Sequence, residues 1–171
     1  MKKLSEYYIE TFKKYGANPK GVSWSLSEKT NLRYYFLAKT VNDISSKNKI
    51  SILDVGCGYG ELLHHIKKNI SNVNYTGIDT NELAIKEAKN RFLQKSVKFH
   101  KISINNFKSK KKFNLIIANG LFTYKDNISD KEMYDFLFKI LKKFYTLSSG
   151  LIVFNLISKF LDFKNKNIFY P

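Results

Sequence analysis

The sequence predicts an α/β fold: a doubly wound, mainly parallel sheet with helices on both faces and a helical cap at the N-terminus. Short apolar runs of strand type alternate with amphipathic helical runs from residue 50 onward. A glycine-rich turn follows the first strand, whereas the preceding residues show only helical spacing. Such alternation places a ligand crevice at the carboxyl ends of the parallel strands. We therefore predict a cap over residues 1–48 and a ligand-binding core over residues 49–171, together forming one compact domain.

The predicted cap contains two helices. In the first, Tyr8, Phe12 and Tyr15 fall at helical spacing, and Gly16 is expected to end the helix. The second is expected to open near Ser27. Its apolar positions are Leu32, Phe36, Leu37, Val41 and Ile44.

The predicted core has five strands, at residues 50–55, 73–78, 97–102, 113–118 and 151–154. Two of the connecting helices are predicted at 61–70 and 81–92. A third opens with Ser129-Asp130-Lys131-Glu132, which has the S-x-x-E form of a capping box. The inward positions predicted for the second and third of these helices are Ala84, Ile85, Ala88, Phe92, Met133, Phe136, Leu137, Ile140, Leu141 and Phe144. The lysine-rich tract 108–112 is predicted to be a solvated loop.

Composition limits the classes of protein to consider. A hydrophobic fraction of 43% in 171 residues is enough for a buried core and argues against disorder. The single cysteine, Cys57, excludes an internal disulfide and a multi-cysteine zinc site, so we predict no metal centre. No signal peptide is evident, and no apolar run approaches the ~18 residues of a membrane span. We therefore expect a cytoplasmic protein.

The net charge of +16 suits an anionic partner, which includes nucleic acid, an anionic membrane face or an anionic substrate. The favoured explanation is the codon bias of an AT-rich genome, which also fits the abundant asparagine, isoleucine and phenylalanine. Only Arg33 and Arg91 are arginines; the other basic residues are lysines. Arginine is the preferred side chain for reading phosphates and bases, and here it is nearly absent. Nucleic acid therefore stays open as a partner without being favoured over a small-molecule acceptor.

Gly56, Gly58 and Gly60 directly follow the first strand and open a helix. The nicotinamide-binding fingerprint G-x-G-x-x-G would require a third glycine where this chain has Glu61. Asp54 precedes the turn and would repel a pyrophosphate, but it suits a cofactor that carries an ammonium and a sulfonium. The turn is therefore predicted not to hold a nicotinamide dinucleotide.

The run 52–60, ILDVGCGYG, resembles motif I of class I (Rossmann-like) S-adenosylmethionine-dependent methyltransferases, whose usual form is close to (V/I)LDxGCGxG. The resemblance implies S-adenosyl-L-methionine as cofactor and S-adenosyl-L-homocysteine as its product. It implies that Asp54 contacts the amino-acid end of the cofactor and that Gly56 and Gly58 pack against its methionine portion. Cys57 lies in the same turn, where a small buried filler is favoured over a nucleophile.

Asp79 follows the second strand, about 20 residues after the last glycine, where an acid can accept both ribose hydroxyls. The alternative is that Asp79 caps the helix beginning near Asn81, which we consider less favoured. Gly77-Ile78-Asp79 resembles the second motif of the family, and Thr80 or Leu83 is then expected against the adenine.

The third motif departs from the family, because Ser103 stands where many relatives have an aspartate that binds the adenine. Ser103 and the backbone of Ile104 are the expected substitutes. The fourth strand and its following turn resemble the fourth motif, with Asn114 in place of the usual aspartate. Asn119 and Gly120 are expected to end this strand in the crevice, near the ammonium of the cofactor.

The N-terminal stretch around Trp24 and Arg33 resembles small bacterial methyltransferases that begin with a tryptophan-serine turn and an arginine helix. The resemblance implies that Arg33 pairs with the cofactor carboxylate and that Trp24 forms a wall of the cofactor or acceptor site. The alternatives are a surface salt bridge and an ordinary core tryptophan. No catalytic base is identified. The candidates are Tyr124 on the crevice side and Tyr7 or Tyr8 from the cap, and Asn119 could only orient the acceptor. His64 and His65 are expected to face solvent.

By this resemblance we expect a methyltransferase for a small polar or anionic acceptor, with O-methylation favoured and a surface-glycan precursor as one candidate. The alternatives are an RNA-binding or RNA-methylating protein and a cofactor-binding remnant without activity. The family usually adds two further strands, the last antiparallel, whereas this sequence ends at Pro171. We therefore expect a C-terminal truncation that leaves the fifth strand exposed for self-association.

Overall fold

A computed structural model of the chain describes residues 2–24, 28–45, 49–68, 73–160 and 164–171. The α-helices are α1 Lys2–Tyr15, α2 Glu28–Ser45, α3 Glu61–Lys67, α4 Glu82–Arg91 and α5 Asp130–Leu147. The strands are β1 Ile50–Val55, β2 Val73–Asp79, β3 Val97–Lys101, β4 Phe113–Ala118 and β5 Ser148–Phe154, and a 3-10 turn covers Pro19–Val22. Ser27 and Ile70, the expected ends of two helices, lie outside the described residues.

The five strands form one parallel sheet in the order β3-β2-β1-β4-β5. The order along the chain reverses between β1 and β4, and this switch point is where ligands bind in open α/β sheets. The glycine turn leaves β1 at this point, and Asn119 and Gly120 follow β4 directly beside it. The doubly wound fold predicted from the sequence is therefore confirmed.

Helices cover both faces of the sheet. Because side chains alternate along a strand, Ile52, Tyr75 and Leu115 contribute to the core beneath α2, α3 and α4. Leu53 and Ile116 point to the opposite face, where α5 packs. The predicted inward positions of α4 and α5 are confirmed, with Phe92, Phe136 and Leu141 only partly buried. The capping box at Ser129 and Glu132 is also present.

The apolar residues of α2 lie on two sides of the helix, and only one side faces the core. Leu32 and Phe36 are 52% and 61% exposed, whereas Tyr34, Leu37, Ala38 and Val41 are buried. These four positions follow the i, i+3, i+4, i+7 spacing of one helical stripe. The helix carries apolar residues on two sides, so hydrophobicity by itself did not identify the side that faces the core.

The C-terminal part of the chain contributes more to the core than the sequence indicated. Strand β5 begins at Ser148, three residues earlier than predicted. After β5 the chain returns to the loop that follows β4, where Ile168 and Tyr124 form an antiparallel bridge. The N–H of Phe169 donates to the carbonyl of Thr123 at 2.8 Å, and the Phe169 ring is completely buried. This segment stabilises the loop beside the switch point.

Across the described ranges, no helix is both long and apolar enough to cross a membrane. The same ranges contain no group of three or more His, Cys, Asp or Glu side chains placed to hold a metal ion.

Candidate functional site at the glycine turn

The glycine turn adopts a backbone conformation that other residues rarely take. Gly56, Gly58 and Gly60 have φ angles of 80°, 53° and 84°. Side chains are strained in this left-handed region, whereas glycine enters it freely. The N–H groups of Gly56 and Cys57 donate to the carbonyl of Ile78 at 2.8 and 3.1 Å. The turn is thus held against the end of β2, which brings the first two predicted motifs together.

Asp79 links these motifs through its carboxylate. Oδ2 accepts from the N–H of Gly58 at 2.9 Å, and Oδ1 accepts from the N–H of Asn81 at 2.8 Å. Burial raises the pKa of Asp79, and the backbone N–H donors act in the opposite direction. A carboxylate has about four acceptor positions, so these bonds leave capacity for hydroxyl donors.

The N-cap of α4 is Asn81, whose Oδ1 accepts from the N–H groups of Leu83 and Ala84. The alternative role of Asp79 as a helix cap is therefore wrong. The amide oxygen of Asn81, two residues later, caps the helix, and the Asp79 carboxylate instead faces the glycine turn.

Asp54 is buried directly before the turn, with 2% of its surface exposed. The hydroxyl of Tyr75 donates to its Oδ2. Burial raises the pKa of Asp54 to about 7, the Tyr75 hydrogen bond lowers it, and the nearby Asp79 raises it. Tyr75 lies two residues before Gly77, the register partner of Asp54, so both side chains lie on the same face of the sheet.

A narrow cavity of about 40 Å³ lies between the glycine turn, the end of β4 and the cap. Six predicted cofactor residues line it: Trp24, Asp54, Gly56, Cys57, Gly58 and Asn119. Asn119 directly follows β4, and its side-chain Oδ1 is buried without a hydrogen-bond partner among the described residues. Burial raises the pKa of the Cys57 thiol well above its usual value, so this thiol stays protonated.

Trp24 lies against the turn after β4. A Cβ atom built on Gly120 would be 2.6 Å from Cζ2 of Trp24, and Gly120 has a φ of 79°. The position therefore requires glycine both for its conformation and for the close approach of the indole. The Gly120 N–H donates to Oδ1 of Asn155 at 2.6 Å, which fixes the turn beneath Trp24.

The guanidinium of Arg33 lies 4.5 Å from the centre of a Trp24 ring, a cation–π distance. Arg33 forms no salt bridge within the described part of the chain, so the surface-salt-bridge alternative is not what the structure shows. Trp24 is only half-buried and lines the cavity, unlike an ordinary core tryptophan. The predicted contact of Arg33 with the cofactor carboxylate stays a prediction.

The side chains on α3 form a network at the edge of the cavity. Glu61 accepts from the Arg91 guanidinium at 3.1 Å and lies 3.6 Å from Nε2 of His65. The His65 ring stacks on Tyr34, with centroids 4.9 Å apart. His64 is exposed as expected, but the expectation was wrong for His65. The imidazole is covered because Tyr34 of α2 packs over that side of α3.

The residues expected at the adenine lie farther along the same edge of the sheet. The N–H of Ile102 donates to the carbonyl of Asp79 at 2.9 Å, which places the ends of β2 and β3 side by side. Thr80 is exposed and Ile104 is buried. The Ser103 Oγ accepts from the N–H of Asn105 at 3.3 Å. None of these residues lines the narrow cavity, so their contact with adenine stays a prediction.

Tyr124, the candidate base, lies in an aromatic cluster. Its ring stacks on Tyr7 at 4.6 Å and meets the edge of Tyr8 at 6.3 Å. Burial raises the pKa of Tyr124, with further contributions from Tyr7 and Asp126. The phenol therefore keeps its proton at neutral pH. It is suited to donate a hydrogen bond and not to remove a proton from the molecule that is methylated.

Several residues of the site were not identified from the sequence. Tyr34, Tyr59 and Glu61 line the cavity, and Tyr75 binds Asp54. In the sequence, Glu61 is notable only because it stands where the nicotinamide-binding fingerprint requires a glycine. Tyr75 was detectable in principle, because pairing β1 with β2 in register places it on the face of Asp54. The position of Tyr34 depends on how the cap packs and has no comparable local signal.

Comparison with known proteins agrees with this geometry. The methyltransferase-domain family matches residues 46–162, which is more than half of the chain. The chain therefore belongs to this family, and the class predicted from motif I, a Rossmann-like S-adenosylmethionine-dependent methyltransferase, is confirmed.

Two curated relatives are malonyl-(acyl-carrier protein) O-methyltransferases. The protein from Acetivibrio thermocellus is 33% identical over 82 residues, which cover 48% of this chain and 29% of that protein. The second, from Ilyobacter polytropus, is 30% identical over 115 residues, which cover 67% of this chain and 42% of that protein. The chain thus spans less than half the length of either relative.

Solved methyltransferases share the fold. The magnesium protoporphyrin IX methyltransferase ChlM from Synechocystis PCC 6803, solved with S-adenosylmethionine, has a TM-score of 0.66 at 14% identity and covers 92% of this chain and 76% of its own. The N-methyltransferase NodS from Bradyrhizobium japonicum WM9 was solved with S-adenosyl-L-homocysteine. It has a TM-score of 0.64 at 17% identity, and the match covers 86% of this chain and 71% of NodS. The plantazolicin methyltransferase BpumL has a TM-score of 0.56 at 24% identity, and the match covers 90% of this chain and 58% of BpumL.

Proposed function

We propose that this chain binds S-adenosylmethionine at the glycine turn and methylates an oxygen of a small anionic acceptor. The observation that carries the proposal is the joint placement of the turn, Asp54 and Asn119 around one cavity, with Asp79 bonded to the N–H of Gly58. These groups come from three neighbouring strands and meet at the switch point of the sheet.

The chemistry of the lining fits this cofactor. The unpartnered Oδ1 of Asn119 is an acceptor for an ammonium group, and leaving it unpaired in a buried position is costly. Asp54 lines the same cavity and provides negative charge in its ionised form. The carboxylate of Asp79 has acceptor positions for ribose hydroxyls. The bare glycine backbone permits close approach of a ligand, as the Cβ of any other residue would not.

Binding requires the cap to move. The cavity of about 40 Å³ is far smaller than the ~300–1,000 Å³ that is usual for cofactor sites. The cap residues that line it are Val22, Trp24 and Tyr34. We infer that the Trp24 indole turns away from Gly120 when the cofactor enters and then forms a wall of the site.

Bound S-adenosylmethionine supplies a methyl group on a positively charged sulfur, and transfer forms an oxygen–carbon bond as the carbon–sulfur bond breaks with its electrons going to sulfur. The protein contributes mainly orientation, which is worth up to ~7–11 kcal/mol in well-aligned cases. An acceptor carboxylate is already ionised at neutral pH and requires no base. This fits a site in which Tyr124, the candidate base, keeps its proton.

The oxygen preference and the anionic acceptor have separate support. The two curated relatives are named O-methyltransferases, and the net charge of +16 favours an anionic acceptor. A glycan precursor that carries an acidic group belongs to this class. The RNA alternative depends on the net charge alone; salt-dependent RNA binding near ~0.15 M salt would support it.

Asp79→Ala tests the proposed function. Calorimetric titration with S-adenosylhomocysteine should show an affinity about 10–100-fold lower than that of the wild type, because two hydrogen bonds to a charged acceptor are lost. Glu82→Gln is the matched control, since this nearby acid is exposed and pairs with Lys101 at 2.7 Å. Unchanged affinity in a folded Asp79→Ala protein, verified by circular dichroism, would contradict the proposed site.

A further inference from the structure

A second, wider cavity lies between α1 and the 3-10 turn. Its volume is about 560 Å³, within the ~300–1,000 Å³ range of small-molecule sites. Tyr7, Lys14 and Tyr15 of α1 form one side, and Lys20 and Trp24 form the other. We call this cavity the α1 groove.

The α1 groove adjoins the candidate cofactor cavity through a single side chain. Trp24 lines both cavities. Its indole also contacts Gly120, in the turn that follows β4 at the switch point. The residue that the two linings share is therefore the one whose movement we infer on cofactor binding.

The aromatic residues of the groove offer flat, accessible surfaces. Tyr7 and Tyr15 are 40% and 41% exposed. The Tyr7 ring is held by Tyr124, which stacks on it at 4.6 Å with an angle of 14° between the planes. A ring held in this way loses little conformational freedom when a second flat group packs beside it. The groove is thus suited to a planar, conjugated ligand.

The charges in the groove favour an anion. Lys14 and Lys20 form no ion pair with any acid that the structure describes, and Lys14 Nζ lies 5.1 Å from the Tyr15 ring. The carboxylate in the lining belongs to Glu10, which pairs with Lys13 at 2.8 Å. The two lysines therefore remain available to a ligand, and the nearby acid is already neutralised.

We propose that the α1 groove is the acceptor site, and that it takes a planar aromatic or conjugated molecule carrying an anionic group. This inference rests on the proposed function and names its substrate class: the flat body packs on Tyr7 and Trp24, and the anionic group is held by Lys14 and Lys20.

The test uses two probes of similar shape. 1-Anilinonaphthalene-8-sulfonate is an aromatic anion with a flat naphthalene ring, and N-phenyl-1-naphthylamine is its neutral counterpart. Trp24 is the single tryptophan of the chain, so energy transfer from it to either probe reports that the probe is bound. Titrations are made with and without saturating S-adenosylhomocysteine. The wild type should bind the anionic probe about tenfold more tightly than the neutral one.

Lysine variants assign this preference to the groove. The double variant Lys14→Gln, Lys20→Gln should bind the anion about tenfold more weakly than the wild type and the neutral probe equally well. Lys139→Gln is the control, because Lys139 is exposed on α5 and does not line the groove. Equal binding of the two probes by the wild type, or an unchanged preference in the double variant, would overturn the inference.

The titration of the wild type with S-adenosylhomocysteine separates the two proposals. Failure to bind S-adenosylhomocysteine counts against the proposed function, whatever the probes show. Normal binding of S-adenosylhomocysteine, with no preference for the anionic probe, overturns the acceptor groove alone.

Discussion

Asp54 and Tyr75 form a buried polar pair directly before the glycine turn. Burial raises the pKa of Asp54 to about 7, so at neutral pH this carboxyl is divided between its protonated and ionised forms. The Tyr75 hydroxyl stabilises the ionised form by donating to Oδ2. A carboxylate that carries charge only in part is readily shifted towards its ionised form by a cationic ligand.

The raised pKa predicts how stability changes with pH. In the folded protein Asp54 keeps its proton up to about pH 7, whereas in the unfolded chain it loses the proton above its ordinary pKa of 3.8. The stability that this difference provides is therefore fully present below pH 3.8 and is lost as the pH rises through about 7. Asp54→Asn removes this dependence. Urea unfolding should show the variant gaining up to about 3 kcal/mol relative to the wild type between pH 5 and pH 8.

The control for the loss of one charge is Asp135→Asn, because Asp135 is exposed on α5. If Asp54→Asn and the wild type differ by the same free energy of unfolding at both pH values, the raised pKa of Asp54 is wrong.

Besides the packing of α2 on the core, the loop that carries Trp24 meets the turn after β4 in a close contact. The indole approaches Gly120 so closely that a Cβ atom would stand 2.6 Å from it. Arg33 of α2 lies over the same indole. The position of the Trp24 indole over the turn after β4 therefore depends on the absence of a side chain at residue 120.

Gly120→Ala should displace Trp24, and the emission of this single tryptophan should shift accordingly. The matched control is Gly16→Ala: Gly16 has a similar φ of 70°, but a Cβ there would meet no atom within 4 Å. Both variants incur the left-handed strain of about 1–2 kcal/mol. Only Gly120→Ala should also change the fluorescence, and an identical spectrum in the two variants would contradict the contact.

At the scale of the whole molecule, the end of the chain closes the core beside the switch point. Phe169 is completely buried and packs on the edge of Tyr134, with ring centroids 5.0 Å apart. Its N–H donates to the loop that carries Tyr124. On the outer edge of the sheet, Leu151 of β5 is 50% exposed. Self-association along this edge stays a prediction.

Phe169→Ala should lower the free energy of unfolding by about 3–5 kcal/mol, as is usual for removal of a buried aromatic ring. Phe160 is 84% exposed and provides the control, since Phe160→Ala should have little effect on stability. Thermal and urea unfolding measure both variants. Equal stabilities would show that the C-terminal segment does not pack on the core.

The parts of this protein that local sequence determines are the five strands, the glycine turn, the capping box of α5 and the order of the motifs. Each follows from side-chain periodicity, from the φ that glycine permits or from hydrogen bonds between near neighbours, so a few adjacent residues suffice to predict it. Motif I identified the family for the same reason.

Only the tertiary structure decided which side of α2 faces the core, that Tyr75 binds Asp54, that Trp24 lies on Gly120 and that Phe169 is buried. Each of these contacts joins residues from different elements, and its energy depends on packing and desolvation that no local pattern records. The α1 groove belongs to the same group, because its lysines and aromatic rings come together only when the loop after α1 folds back beside that helix.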